Sequence, residues 1–239
     1  MATVAAIVVM DLDGTLYRGA APYRYYARRI ADSLPEERRG EYLQAVERFL
    51  AGESRVQAAD GWEAAVVLAG GPAGNSSGFS QAFLETRRFM LEKRCELEIP
   101  FGMTEFLAQA RRRARLVLVT NTPAEYVFPL LQRLGLGSNF DEVCCGAEKP
   151  SRLGPRLTAL AEVFGLAPQA VLSVGDHFLN DIAPALTAGC TTAYLDPYGI
   201  GPSGQTTFES PDFEGLAEPL SNWLASTAAT AVPGLGWRR

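Results

Sequence analysis

The chain alternates, over most of its length, between short apolar runs and longer stretches with helical spacing. Residues 4–9 form a continuous run rich in Val and Ile, which is typical of a strand buried on both faces of a parallel sheet. Four more strands are predicted, at residues 116–119, 142–145, 171–174 and 192–195. Helical stretches separate them, and this alternation favours a doubly wound, parallel α/β sheet of the Rossmann-like kind.

A long segment between the first and second predicted strands has a different character. Residues 17–95 contain apolar side chains at helical spacing and no β-rich run, so we expect an all-helical insert of about four helices with its own core. The predicted division is a core domain of residues 1–16 and 96–225, an inserted helical domain of residues 17–95, and a flexible tail of residues 226–239.

Polar side chains follow three of the predicted strands at the point where each strand ends. Asp11 and Asp13 come directly after the first strand, Thr120 and Asn121 after the second, and Asp176 after the strand at 171–174. The carboxyl ends of strands in an open parallel sheet lie along one edge, where ligands bind. We therefore expect these side chains to share a site.

The residue types at this edge suit the chemistry of phosphate. Carboxylate oxygens of Asp11, Asp13 and Asp176 are the hard ligands that Mg²⁺ takes together with water and substrate phosphate. Thr120 can donate to a phosphate oxygen, and Lys149 can offset the gathered negative charge. An Asp carboxylate can also accept a phosphoryl group as a nucleophile.

Composition narrows the classes of function. The net charge of −5 speaks against nucleic acid as a partner, and four cysteines without a CxxC pair and a single histidine speak against a zinc cluster. The N-terminus lacks the basic region of a signal peptide, and no run approaches the ~20 apolar residues of a membrane helix. A cytoplasmic monomer or homodimer without a membrane partner is the expectation.

Four short motifs, taken in order, resemble those of the haloacid dehalogenase-like (HAD) hydrolase superfamily. They are Asp11-Leu12-Asp13-Gly14-Thr15, Val119-Thr120-Asn121, Lys149-Pro150, and Gly175-Asp176 with Asn180-Asp181. The resemblance implies that Asp11 is the nucleophile and a magnesium ligand, and that Asp13 is the general acid and base, with its backbone carbonyl on the metal. It further implies that Thr120 binds the phosphoryl group beside Asn121, Lys149 stabilises nucleophile and phosphate, Asp176 holds Mg²⁺, and Asp181 orients the metal shell or Lys149.

The position of the insert and the second acid select a branch of that superfamily. The insert lies between Asp13 and Thr120, as in members with a C1-type helical cap. Asp13 favours phosphate esters over halides, because an alkoxide leaving group needs a proton. The resemblance thus implies a phosphatase for phosphoglycolate, a sugar phosphate or a nucleotide.

Some points stay open at this level. A phosphomutase of the β-phosphoglucomutase type and a non-catalytic binding or regulatory protein are the alternatives. Arg18, just past the first motif, is a candidate substrate contact, and His177 either touches the substrate or is a bystander.

Overall fold

The structure, a computed structural model, describes residues 4–54, 56–71 and 76–230. Its strands are β1 (Ala6–Met10), β2 (Ala114–Val119), β3 (Glu142–Cys144), β4 (Val171–Gly175), β5 (Thr191–Leu195) and β6 (Phe208–Ser210). They form one sheet in the order β3-β2-β1-β4-β5-β6, and every neighbouring pair is parallel. The predicted parallel α/β fold is confirmed.

The segment after β1 is helical, as the sequence predicts. It contains α1 (Ala21–Ala31), α2 (Glu36–Leu50), α3 (Gly61–Leu68) and α4 (Ser76–Met90). Side chains such as Ile30, Val46 and Ala65 pack into an apolar cluster that is distinct from the clusters on the sheet. The exact domain boundaries stay predictions.

The sheet is covered on both faces, which explains the continuous apolar run of β1. Val8 and Met10 point into one apolar cluster, and Ile7 and Val9 into the other, because successive side chains of a strand face opposite sides. Residues of α5 (Met103–Ala110), α6 (Ala124–Arg133) and α9 (Phe213–Thr230) complete the first cluster, and residues of α7 (Leu153–Phe164) and α8 (Ala183–Thr187) complete the second.

Two features near the C-terminal end differ from the sequence-based expectation. Strand β6 is new; it has three partly exposed residues in a segment rich in Pro, Gly and Ser, and so lacks an apolar run. Helix α9 continues to Thr230, so residues 226–230 of the expected tail are helical, whereas 231–239 lie outside the described residues. Of the helices that the structure describes, none combines the length and apolar character needed to cross a bilayer.

Candidate active site

The strand order brings the predicted site residues together at one sheet edge. Strands β2 and β4 flank β1, so Thr120 and Asp176 follow strands on either side of the one that delivers Asp11. All three side chains are buried. They line a cavity of about 160 Å³ that also contains Asp13, Asn121, Lys149, His177 and Asp181.

Lys149 is the cation at the centre of this site. Its Nζ lies 2.6 Å from Asp11 Oδ1 and 2.5 Å from Asp181 Oδ1. Burial lowers the pKa of Lys149, but the two carboxylates outweigh burial and raise it above its usual range. The lysine is therefore held in its charged form beside Asp11.

Asn121 holds the backbone of Lys149 in place. The backbone N–H of Lys149 donates to Asn121 Oδ1 at 2.8 Å, and Asn121 Nδ2 donates to the Lys149 carbonyl at 3.1 Å. Both ends of the amide are thus engaged with the protein. These two contacts allow Asn121 to position Lys149, and its expected place beside the phosphoryl group stays a prediction.

Three buried carboxylates form a compact acidic cluster. Oxygen atoms of Asp11, Asp176 and Asp181 lie within 4.8 Å of one another. Burial, opposed by Lys149 and reinforced by Asp181 and Asp13, raises the pKa of Asp11 to about 7. Burial and the charges of Asp11, Asp60 and Asp181 raise the pKa of Asp176 well above its usual range. Because three carboxylates lie this close together in a buried site, the donor set fits a divalent cation.

Local backbone features position the cluster. Gly14 has a φ of +78°, and a Cβ at this position would overlap the Asp176 carboxylate, so the turn after β1 requires glycine. One turn of π-helix, Phe178–Ile182, follows β4. In this turn the backbone N–H of His177 donates to Asp181 Oδ2 at 3.2 Å, and Ser173 Oγ donates to the Asp181 carbonyl at 2.9 Å.

The Asp13 carboxylate is held by a separate set of hydrogen-bond donors. It accepts hydrogen bonds from Tyr17 Oη, from Thr122 Oγ1 at 2.9 Å and from both terminal nitrogens of Arg87, with Arg87 Nη2 at 2.7 Å. Burial raises the pKa of Asp13, but the charge of Arg87 and these hydrogen bonds outweigh burial and lower it. The carboxylate is thus not one of the three clustered groups, and the metal contact expected of its backbone carbonyl stays a prediction.

Arg87 reaches this site from helix α4, although none of the four motifs includes it. Its side chain is only 3% exposed. Its position in the helical pattern could have indicated this contact, because Phe83, Arg87 and Met90 lie on one face of the helix at spacings of four and three residues. A charged residue on an otherwise apolar stripe needs a buried partner, and here that partner is Asp13.

The structure places the two open candidates differently. The Arg18 side chain is 57% exposed, lies 3.6 Å from Glu98 Oε2, and does not line the cavity around Asp11. His177 does line that cavity, and its Nδ1 accepts a hydrogen bond from the Asn180 backbone at 3.3 Å. His177 therefore shares the cavity of the predicted nucleophile, whereas Arg18 lines a neighbouring cavity of about 300 Å³ that also includes Asp176.

The chain matches one protein family over most of its length. Residues 5–189 match the model of the haloacid dehalogenase-like hydrolases. The chain belongs to this family. The predicted resemblance is therefore confirmed, and the match covers both the sheet residues Asp11, Thr120 and Asp176 and the inserted helices.

Individual relatives and one solved structure are also similar to this chain. A phosphoglycolate phosphatase of Thiobacillus denitrificans is 30% identical over 206 residues, covering 80% of this chain and 83% of that one. A phosphoglycolate phosphatase of Pasteurella multocida is 38% identical over 111 residues, 44% of this chain; the match spans only about half (48%) of that relative. YfnB of Bacillus subtilis, assigned to the HAD hydrolases and solved bound to magnesium, has a TM-score of 0.60 at 19% identity and covers 90% of this chain and 98% of its own. That likeness shows the fold alone.

Proposed function

We propose that the chain is a magnesium-dependent phosphatase that hydrolyses a small phosphorylated metabolite through an aspartyl-phosphate on Asp11. Phosphoglycolate is the first substrate to test, since two relatives are phosphoglycolate phosphatases. The observation that carries the proposal is the charged Lys149 Nζ, 2.6 Å from Asp11 Oδ1 in a cavity that also contains Thr120 and Asp176. A carboxylate nucleophile, a cation beside it and a hydroxyl donor are what phosphoryl transfer requires.

In the first half of the reaction, an Asp11 carboxylate oxygen attacks phosphorus and the ester P–O bond breaks. Asp13, which has to take up a proton first because its pKa is lowered in the unliganded site, gives that proton to the leaving alkoxide oxygen. Lys149 and the Thr120 hydroxyl stabilise the negative charge on the phosphoryl oxygens. In the second half, water attacks phosphorus, Asp13 takes the proton of that water, and the bond between phosphorus and Asp11 breaks to release phosphate.

Mg²⁺ would be held by Asp11, Asp176 and the Asp13 backbone carbonyl, with Asp181 oriented beside them. When bound, it supplies the positive charge that lets an ionised Asp11 and a phosphate dianion approach each other. The supporting observation is that three buried carboxylates share one site with one lysine.

We propose that residues 17–95 are the cap domain that covers the sheet edge. Asp60 and Trp62, which lie on either side of the start of α3, and Phe83 and Arg87 from α4 line the same cavity as Asp11. These helices therefore contribute the wall that faces the substrate. Such a wall excludes water and selects the substrate. The cytoplasmic location and a monomeric or homodimeric state stay predictions.

Phosphate release tests this function. Purified protein with Mg²⁺ is expected to release inorganic phosphate from phosphoglycolate, and chelation of the metal is expected to lower the rate by about 100-fold or more. A labelled phosphoryl group that appears in an isomer of a sugar phosphate, and not as free phosphate, would identify a phosphomutase. A lack of turnover on any phosphorylated metabolite would favour a binding protein.

Mg²⁺ is expected to stabilise the protein more at pH 8 than at pH 5.5. The raised pKa of Asp11, about 7, means that the metal-free folded state keeps a proton which the unfolded chain has lost above about pH 4. Its free energy of unfolding therefore falls as pH rises from about 4 to about 7. A cation that binds the ionised carboxylates opposes this loss.

Thermal unfolding with and without Mg²⁺ measures this difference. At about ten times the dissociation constant, we expect a rise in Tm of about 3 °C or more at pH 8. The Asp176→Asn variant should lose most of that rise. An equal rise in this variant would place the metal elsewhere.

A further inference from the structure

Arg87 occupies a site built for a guanidinium group. Its Cζ lies 4.5 Å from the ring centroid of Phe83 and 4.7 Å from that of Trp62. Aromatic faces attract a cation and exclude water from it. The buried Nε has no hydrogen-bond partner, so the protein itself does not satisfy all the donors of this side chain.

Arg87 is paired with Asp13, another functional residue of the site. Both terminal nitrogens donate to the Asp13 carboxylate, and Nη1 also lies 3.6 Å from Met90 Sδ. Asp13 would keep Tyr17 and Thr122 as donors without the arginine. Arg87 can therefore change its partner without leaving Asp13 unpaired.

The arginine stands close to the phosphoryl-binding residues. Thr122 links the two groups. Its Oγ1 donates to Asp13, and its backbone N–H donates to Thr120 Oγ1 at 3.1 Å. Arg87, Thr120 and Asp11 line one cavity of about 160 Å³. A ligand that spans from Asp11 to Arg87 has to be short.

We propose that Arg87 binds a carboxylate of the substrate, which takes the place of the Asp13 carboxylate on the arginine. This inference rests on the proposed phosphatase function and names its substrate class, phosphorylated hydroxy acids with few carbons between the ester and the carboxylate. The planar fork of arginine already holds a carboxylate here in a bidentate manner, so the exchange keeps the charge and geometry of the pair.

A pair of substrates that differ only in the carboxylate tests the proposal. Ethyl phosphate has a methyl group where phosphoglycolate has its carboxylate. For the wild-type protein we expect kcat/KM to be about 100-fold higher or more for phosphoglycolate, the effect of a desolvated charge pair. Comparable values for the two esters, with both hydrolysed, would overturn the role of Arg87 while leaving the phosphatase function intact. Failure to hydrolyse any phosphate ester would instead overturn the proposed function.

The Arg87→Met variant distinguishes binding of the substrate carboxylate by Arg87 from a structural role in which Arg87 holds α4 against the core. We expect the ratio of kcat/KM for phosphoglycolate to kcat/KM for ethyl phosphate to fall about 100-fold, mainly through a higher KM for phosphoglycolate. Arg88→Met, on the exposed neighbour in the same helix, is the matched control and should leave both values unchanged. Equal losses for both substrates would contradict the proposal.

A second variant covers the case in which Arg87→Met does not fold. Arg87→Lys keeps the charge and removes the fork. It should lower the ratio of kcat/KM for phosphoglycolate to kcat/KM for ethyl phosphate by about tenfold. Equal losses on both esters in a folded Arg87→Lys protein would show that Arg87 serves the structure and not the substrate.

Discussion

The Asp11→Asn variant is expected to lose phosphatase activity by about 10⁴-fold or more. The amide is a poor nucleophile, and the aspartyl-phosphate cannot form. Losses of this size are typical when a group that acts covalently is removed. Steady-state phosphate release from phosphoglycolate measures the effect, and Glu105→Gln, on an exposed acid of α5, is the matched acid-to-amide control that should keep full activity.

Stability separates this loss from misfolding. Burial raises the pKa of Asp11 to about 7, so its ionised form is unfavourable in the metal-free fold at pH 8. Asn removes that charge, and Lys149 keeps its contact with Asp181. We therefore expect the metal-free variant to unfold at a temperature no lower than the wild type. Activity within tenfold of the wild type would rule out Asp11 as the nucleophile.

The Asp13→Asn variant is expected to hydrolyse alkyl phosphates about 10³-fold more slowly, because the leaving oxygen receives no proton. With p-nitrophenyl phosphate the first step should survive, since p-nitrophenolate leaves without protonation. The second step should still stall, since the attacking water has no base. Rapid-mixing measurements should therefore show one equivalent of p-nitrophenolate released quickly, followed by very slow turnover.

The same experiment can contradict the role of Asp13. Asn can still accept hydrogen bonds from Thr122 and Tyr17. If Asp13 only positioned other groups, its replacement would slow the hydrolysis of alkyl and aryl esters to the same extent. Equal slowing of the first step for both leaving groups would assign Asp13 a positioning role and not acid and base catalysis.

The sheet and its polar edge were predictable because both follow from local patterns. The apolar run that forms β1 places Asp11 at a strand end, and parallel pairing with β2 and β4 brings Thr120 and Asp176 beside it. The contact of Lys149 with Asp11 was also expected, from the family resemblance. By contrast, β6 has only three partly exposed residues, too few to show a pattern of apolar and polar positions in the sequence.

The contribution of the inserted helices was not predictable in the same way. Whether an arginine on α4 meets Asp13 depends on how four helices pack over the sheet edge, which no local spacing encodes. The sequence pointed instead to Arg18, which follows the first motif but is largely exposed. The pairing of Asp13 with Arg87 depends on the same packing.

Trapping the phosphorylated enzyme tests the account most directly. Wild-type protein is mixed with Mg²⁺ and phosphoglycolate labelled in its phosphoryl group, quenched with acid during the first turnover, digested, and the labelled peptide identified by mass spectrometry. The account predicts an acid-stable phosphoryl group on Asp11, and none at this peptide in the Asp11→Asn variant. Full-rate phosphate release with the label absent from Asp11, or a label on another residue, would contradict it.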